Sequence, residues 1–459
     1  MDAYRDPDVL ALLHDAALRA TAYLAKLDAR AVAPSADAVA ALDRLREALP
    51  EGPSEAAATL ALLDQLGSPA TMGMAGGRFF GFVIGGSYPV SVASSWLATA
   101  WDQNTGLAEV TPATARLEEV ALGWLVELLG LPPGTGGGFV TGATLANFTA
   151  LAAARHTVLE RAGWDVEGDG LFGAPPISVL VSAEVHPSVL KGLGMLGLGR
   201  RRVVPVPVDG QGRMRIEALP AIAGPTIVCT QAGNVNTGAC DPIAEICAAV
   251  RPAGAWVHVD GAFGLWAAAA PSLASQVRDV GNADSWATDA HKWLNVPYDS
   301  GVAFVRDPHA LRAALAVSAA YLPTETPNRN PSDYTPEFSR RARGVDVWAV
   351  LRTLGRSGVA ELIERCSRHA RRFAEGLRAA GFEILNEVAL NQVLVAFGDD
   401  DLTRRVIAAI QREGTCWAGV TVWQGRTAMR ISVSSWATTD DDVEKSLAAM
   451  IRVASGARA

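Results

Sequence analysis

Residues Ala283–Gly301 read ADSWATDAHKWLNVPYDSG and hold one of only four lysines in the 459-residue chain: Lys26, Lys191, Lys292 and Lys445. A lysine that serves as a covalent nucleophile needs a fixed backbone and a side chain set apart by burial or neighbouring cations. Lys292 meets that need. The run Asp284–Thr288 before it alternates like the end of a strand, His291 adjoins it, and the turn residues Pro297, Asp299 and Gly301 follow. Lys26 and Lys445 sit in amphipathic and polar helical patterns and read as solvated, whereas Lys191, in a Gly-rich segment, stays open.

Outward from this stretch, the chain from Phe139 to about Phe304 repeats a strand–turn–helix pattern. Ile177–Ser182, Arg202–Val206, Thr226–Thr230, Ala255–Val259 and Gly301–Val305 are apolar strand candidates with helical stretches between them. Continuous apolar strands alternating with helices predict an α/β fold, with a mostly parallel central sheet covered on both faces. Ligands in such sheets sit beyond the C-terminal strand ends. Each candidate residue in this region follows such an end or opens a helix. Gly142-Ala143-Thr144, in GFVTGATLANFTAL, ends an apolar stretch and begins a helix, so its N–H groups and hydroxyl suit a phosphate, although the same residues also serve as a plain cap.

Upstream, Val9–Leu27, Ser35–Leu49 and Ser54–Leu66 have helical periodicity, the last with Ser54 as its cap, and they have too little company to fold alone. Thr71–Ser87 is rich in Gly and aromatics and reads either as a buried loop of close backbone contacts or as a pocket wall. Helices over Tyr88–Trp101 and Thr111–Leu129 follow. Beyond Trp348, helical patterns at Val347–Leu354 and Val359–Ala380, strands at Gln392–Phe397 and Met429–Val433, and a helix at Asp440–Val453 form a smaller α/β C-terminal domain. The expected divisions are 1–70, 71–346 and 347–459.

DAHKWLNVPYDSG resembles the lysine segment of the group II pyridoxal-phosphate-dependent decarboxylases, which include the aromatic-amino-acid, histidine and glutamate decarboxylases. Their pattern is Asn-Pro-His-Lys-Trp followed by Asp-Cys or Asp-Ser; here Asp289-Ala290 replaces Asn-Pro, while His291-Lys292-Trp293 and Asp299-Ser300 match. The resemblance covers about Thr71 to Val453 and implies a fold-type-I architecture. It makes Lys292 the residue that carries pyridoxal 5'-phosphate, with Asp289 and His291 beside it. Asp260, in WVHVDGAFG, would face the protonated pyridine nitrogen and keep the ring able to accept electrons, with Ala262 under the ring. His186, in SAEVHPSVLKG, would stack on the ring and orient the substrate carboxylate. Gly142, Ala143 and Thr144 correspond to the phosphate segment. Relatives place threonines near Asn234-Val235, so the resemblance implies that Asn234 reaches the cofactor.

The resemblance further implies that the N-terminal helices intertwine across a homodimer and that Ser339–Arg343 reaches the neighbouring active site. Tyr334 corresponds to the loop tyrosine that protonates the carbanion, with Tyr321 as the alternative. Gly344 suggests room for a bulky side chain, and Phe79, Phe80, Phe82, Trp101 and Trp266 suggest an aromatic pocket wall. Arg430 lies in a strand where relatives hold a carboxylate. The implied activity is decarboxylation of an aromatic or bulky apolar L-amino acid; an aldolase, an aminotransferase or an aldehyde synthase on the same fold is the alternative.

The bulk numbers agree with a globular enzyme: 49% hydrophobic residues, 19% charged and a net charge of −8. That charge opposes binding to nucleic acid or an anionic membrane. Five cysteines form no Cys-x-x-Cys pair and read as reduced thiols of a cytoplasmic protein. No metal-ligand spacing, signal peptide or membrane span is evident.

Overall fold

The register of the strands around Lys292 decides which side chains meet in the computed structural model, which describes residues 7–317 and 328–458. In chain order, α1 (Pro7–Ala25), α2 (Ala36–Ala41), α3 (Ala56–Ala70), α4 (Pro89–Trp101) and α5 (Pro112–Leu128) precede the main sheet. The sheet and its helices are β1 (Gly136–Val140), α6 (Ala143–Glu160), α7 (Val166–Asp169), β2 (Ser178–Ser182), α8 (Pro187–Met195), β3 (Val204–Val206), β4 (Thr226–Gln231), α9 (Ile243–Val250), β5 (Trp256–Asp260), β6 (Ser285–Asp289) and β7 (Gly301–Val305). The remainder comprises α10 (Pro308–Leu315), α11 (Arg343–Ala379), β8 (Glu383–Ile384), β9 (Gln392–Ala396), α12 (Asp400–Glu413), β10 (Gly419–Trp423), β11 (Arg426–Ser432) and α13 (Asp440–Arg458).

The seven strands run in the order β1-β7-β6-β5-β4-β2-β3, parallel from β6 to β3, with β7 antiparallel to both neighbours. Sequence predicts β7 as one more member of a mostly parallel sheet. The turn over 290–300 reverses the chain directly, and only an antiparallel pair can close through so short a connection. Lys292 therefore lies in the link between two adjacent strands.

Register aligns Gln231 with Asp260, Asp260 with Ala287, and Asp289 with Gly301, so these residues share one sheet face. Helix α6 covers that face, burying Leu151 and Ala154 with Val179, Val181, Ile227 and Trp256. On the other face, Val228, Val257, Val259, Trp286 and Phe304 join a larger core with Trp266, Val347 and Phe373. Both faces are thus apolar, which accounts for strands with little polar alternation.

The second N-terminal helix is shorter than expected: α2 stops at Ala41 and passes into a 3-10 turn, Leu42–Leu45. Helix α3 starts after Glu55, so Ser54 is not its cap. The two helical patterns after residue 346 meet in α11, where Gly355 turns the chain at φ 58°. A second, antiparallel sheet, β10-β11-β9-β8, packs with α11, α12 and α13. Among the described residues no helix is long and apolar enough to cross a membrane.

Candidate active site

Lys292 Nζ lies 3.0 Å from Asp289 Oδ2 in the turn after β6. The backbone of that turn is tightly held. A Cβ on Gly85 would come within 1.9 Å of the Lys292 carbonyl oxygen, so the Gly-rich stretch serves here as a buried loop that presses on the lysine. His291 accepts the Ser300 N–H at Nδ1 (3.0 Å), which leaves its proton on Nε2, 3.6 Å from Asp289 Oδ2. Burial pushes this imidazole below its ordinary pKa, against the pull of Asp289. Its ring stacks on Tyr298, with centroids 4.2 Å apart.

Asp260 ends β5 one strand away. Its Oδ1 accepts from Ala262 N–H (3.2 Å), and its Oδ2 accepts from Asn147 Nδ2 (3.2 Å) and Ser188 Oγ (3.4 Å). Behind it runs a relay of donors that no sequence motif announces. Trp256 Nε1 donates to Ser285 Oγ (2.8 Å), whose hydroxyl is 2.9 Å from His258 Nδ1; His258 Nε2 is 2.8 Å from Asn147 Oδ1. Because Asn147 Oδ1 can only accept, the neutral His258 carries its proton on Nε2 and accepts the Ser285 hydroxyl at Nδ1, so each donor points toward Asp260. His258 is wholly buried, and burial pushes its pKa down to about 4, so the relay is neutral up to the carboxylate.

His186 precedes α8 as its N-cap: Nδ1 accepts the Ser188 N–H (3.2 Å) and lies 2.8 Å from Ser188 Oγ. Ser188 thus links His186 to Asp260. Burial lowers the pKa of His186, while Asp260 raises it. Arg430, on the inner strand β11, donates to the Val235 carbonyl (3.1 Å) and is pushed down to about 10 by burial; its charge bears on His186. Asn234 sits apart. Its Oδ1 is taken by the N–H groups of Asn236 and Thr237, and its buried Nδ2, without a partner, lies beside Gly212.

Gly142 begins α6 in extended backbone, and Gly301 packs so closely on it that a Cβ on Gly301 would lie 2.4 Å from its Cα. The first N–H groups of α6, on Ala143 and Thr144, therefore open beside Asp289 and His291. A Cβ on Gly142 would fall 3.1 Å from His291 Cε1 and 3.5 Å from Asp289 Oδ1. That oxygen is buried and, among the described residues, has no hydrogen-bond partner. The set fits pyridoxal phosphate: an amine, a carboxylate two strands' breadth from a helix start, and a small residue, Ala262, after it.

Tyr334 is placed elsewhere. It ends a 3-10 turn, Pro331–Tyr334, with the Arg329 guanidinium 4.2 Å over its ring and its carbonyl against Gly138. Tyr321 lies outside the described residues. Two arginines of the basic run are buried, whereas Arg341 is exposed. Arg340 is fully buried on Glu118 (3.1 Å), Thr105 O (2.6 Å) and Phe139 O (2.8 Å), and Arg343 bonds Asp299 (2.8 Å). The expectation of room at Gly344 is corrected, since a Cβ there would meet Glu118 Cα at 2.7 Å. Phe79, Phe80 and Trp266 are likewise core, on Trp417, Phe373 and the Asp289 carbonyl, whereas Phe82 and Trp101 are exposed.

A family model described as "Pyridoxal-dependent decarboxylase conserved domain" matches residues 66–398. Tryptophan decarboxylase 1 of Oryza sativa subsp. japonica is 27% identical over 469 residues, covering 93% of this chain and 90% of that one. L-2,4-diaminobutyrate decarboxylase of Rhizobium meliloti (strain 1021) is 29% identical over 385 residues, covering 79% and 75%. Among solved structures, Oryza sativa TDC with PLP and tryptamine superposes with a TM-score of 0.90 at 23% identity, over 98% of each chain.

Proposed function

The chain belongs to the pyridoxal-dependent decarboxylase family, and we propose that the group around Lys292 is where it converts an aromatic L-amino acid to its amine. It is a pyridoxal-phosphate-dependent carboxy-lyase that acts on an L-amino acid. When bound, the cofactor supplies an electron-poor ring that accepts the electron pair left as carbon dioxide departs. The chain's own residues do the rest. Lys292 holds the cofactor through its amine, and the N–H groups of Ala143 and Thr144, with Gly142, hold the phosphate. Asp260 keeps a proton on the ring nitrogen, as a carboxylate supplied with three donors can. His186 and Ala262 would line the place of the ring, and Arg430 would be the cation for a substrate carboxylate.

The observation that carries this reading is the relay from Trp256 to Asp260, which commits four side chains to one buried carboxylate. Aromatic preference is supported by Phe82, three residues from Gly85, and by Tyr298 on His291, both more than half exposed in the single chain. A panel of L-amino acids with amine and carbon dioxide measured tests it. Tryptophan, tyrosine and phenylalanine should outrun glutamate and 2,4-diaminobutyrate; the reverse order would sink the preference.

We take the working enzyme to be a cytoplasmic homodimer whose sites draw on both chains, with divisions at 1–70, 71–346 and 347–459. Helix α1 buries no residue and exposes Leu10, Leu13 and Leu18, and all five cysteines are free and buried. Tyr334, packed on Arg329 away from its own Lys292, is then the acid that protonates the substrate carbon in the partner's site. Mixing Lys292→Ala with Tyr334→Phe subunits tests this, because a two-fold dimer of the two restores one intact site and about a quarter of the activity. No recovery would assign Tyr334 to its own chain, and full activity of Tyr334→Phe alone would deny it a chemical role.

A further inference from the structure

Of the two departures in the lysine motif, Asp289, where the resembled family has asparagine, brings a negative charge to a place built for an anion. Asp289 ends β6 on the sheet face under the start of α6, and its side chain is 3% exposed. Oδ2 takes the Lys292 ammonium at 3.0 Å, whereas Oδ1 has no donor among the described residues and faces Gly142, 3.5 Å from where a Cβ would stand. A dianionic phosphate at the Ala143 and Thr144 N–H groups would lie against that bare oxygen, a repulsion that low-dielectric surroundings amplify. A phosphate carrying one proton meets the same oxygen as a hydrogen-bond donor instead. The unpartnered acceptor is then satisfied.

We propose that Asp289 makes the phosphate site selective for the singly charged phosphate ester, so that a proton enters with the cofactor and is shared between the ester and Asp289 Oδ1. This rests on the reading above that the phosphate lies at the start of α6. The other ionisable groups around Asp289 are Lys292 and His291 in its own turn, Tyr298 before β7, Asp260 on β5 and His186 after β2. Helix α6 contributes no ionisable side chain in its first turn. His291 presents its Nε2–H to Oδ2 rather than Oδ1, and Lys292 does the same, so neither supplies the missing donor.

Phosphorus NMR of the cofactor-loaded enzyme reads the charge state without reference to turnover. In the wild-type protein the resonance should stay at the monoanion position from pH 6 to pH 8. In Asp289→Asn, which donates an N–H from the same shape, it should move to the dianion position. A wild-type resonance at the dianion position overturns the proposal even if the variant does not fold. The dissociation constants supply a second arm. Because a phosphate ester loses its second proton near pH 6, the wild-type-to-variant ratio of cofactor dissociation constants should grow about tenfold per pH unit above that. Pyridoxal, which lacks the phosphate, should show no such growth, and a ratio that climbs with pyridoxal too assigns the effect to Lys292 and overturns the proposal. Failure of both proteins to develop visible absorbance with pyridoxal phosphate would instead strike the reading of the site itself.

Discussion

Replacing Asn147 by leucine cuts the relay to Asp260 in the middle. Its amide donates to Asp260 Oδ2 (3.2 Å) and Ser188 Oγ (3.1 Å) and faces His258 Nε2 at 2.8 Å. Leucine keeps the volume but removes a hydrogen bond to a charged group, worth about 1.5–3 kcal/mol, and strands the His258 N–H in a fully buried site at about 1–3 kcal/mol. The two effects share atoms, so a loss of about 3–4 kcal/mol is expected, short of their upper sum. Urea unfolding of the cofactor-free protein, followed by tryptophan fluorescence, measures it. The double variant Asn147→Leu/His258→Leu removes the stranded donor as well and should recover about 1–3 kcal/mol relative to Asn147→Leu. If the double variant is instead less stable than either single one, by the sum of the two, no donor was stranded and the relay is not a continuous unit.

Three further outcomes follow from the same geometry. His258 is held near pKa 4 in the folded chain against about 6.5 unfolded, so this stabilisation is complete above pH 6.5 and drains away toward pH 4, at about 1.4 kcal/mol per pH unit. His258→Leu should flatten the urea midpoint over that window, and parallel pH curves for the two proteins would contradict the assignment. Gly85→Ala places a Cβ 1.9 Å from the Lys292 carbonyl oxygen and should abolish the visible absorbance of the cofactor complex; a normal spectrum would show that the lysine turn tolerates displacement. Arg340→Met leaves Glu118 buried beside Arg329 alone and should cost about 3–5 kcal/mol in stability, with little change in KM if the Arg340 role is structural.

The convergence of the strands' polar ends is legible in the amino-acid sequence itself. Lys292, His291 and Asp260 each follow an apolar run, and in an α/β sheet such ends gather along one edge. The relay is not legible, for a physical reason. His258 and Asn147 carry the only cues it offers: Trp256, His258 and Asp260 alternate with period two, and Asn147 stands one turn after Ala143 in α6. Neither spacing says which partner waits opposite. The direction of β7 escapes sequence reading because an apolar pentapeptide has the same composition in either orientation, and only the length of the 290–300 turn distinguishes them. Gly344, Phe79, Phe80 and Trp266 resemble pocket residues in type, although glycine and aromatics also fill cores; burial is a property of the partner surface, here α5, Trp417 and Phe373.

The lysine turn is held in place by three distant parts of the chain. An eleven-residue connection costs about 1–2 kcal/mol per residue to immobilise, more than its internal bonds repay. The offsetting contacts come from outside. From the Gly-rich stretch, Gly85 abuts the Lys292 carbonyl, and Tyr88 N–H donates to Asn295 O at 2.6 Å. From the segment after β11, the Ser434 carbonyl accepts from Asn295 Nδ2 (3.0 Å) and Trp436 N–H donates to Asn295 Oδ1 (2.8 Å). From the start of α11, Arg343 grips Asp299. Asn295 takes a left-handed backbone, φ 58°, which asparagine tolerates better than most residues, and it spends its whole side chain on this bracing. The second sheet and the residues after β11 thus reach the proposed site twice, through Arg430 near His186 and through Ser434 and Trp436 on Asn295. A rigid lysine therefore depends on this sheet staying packed on the lysine turn. Both bonds use backbone atoms of residues 434 and 436 and the side chain of Asn295, so a substitution at Asn295 acts on cofactor retention before it acts on the fold of the main sheet.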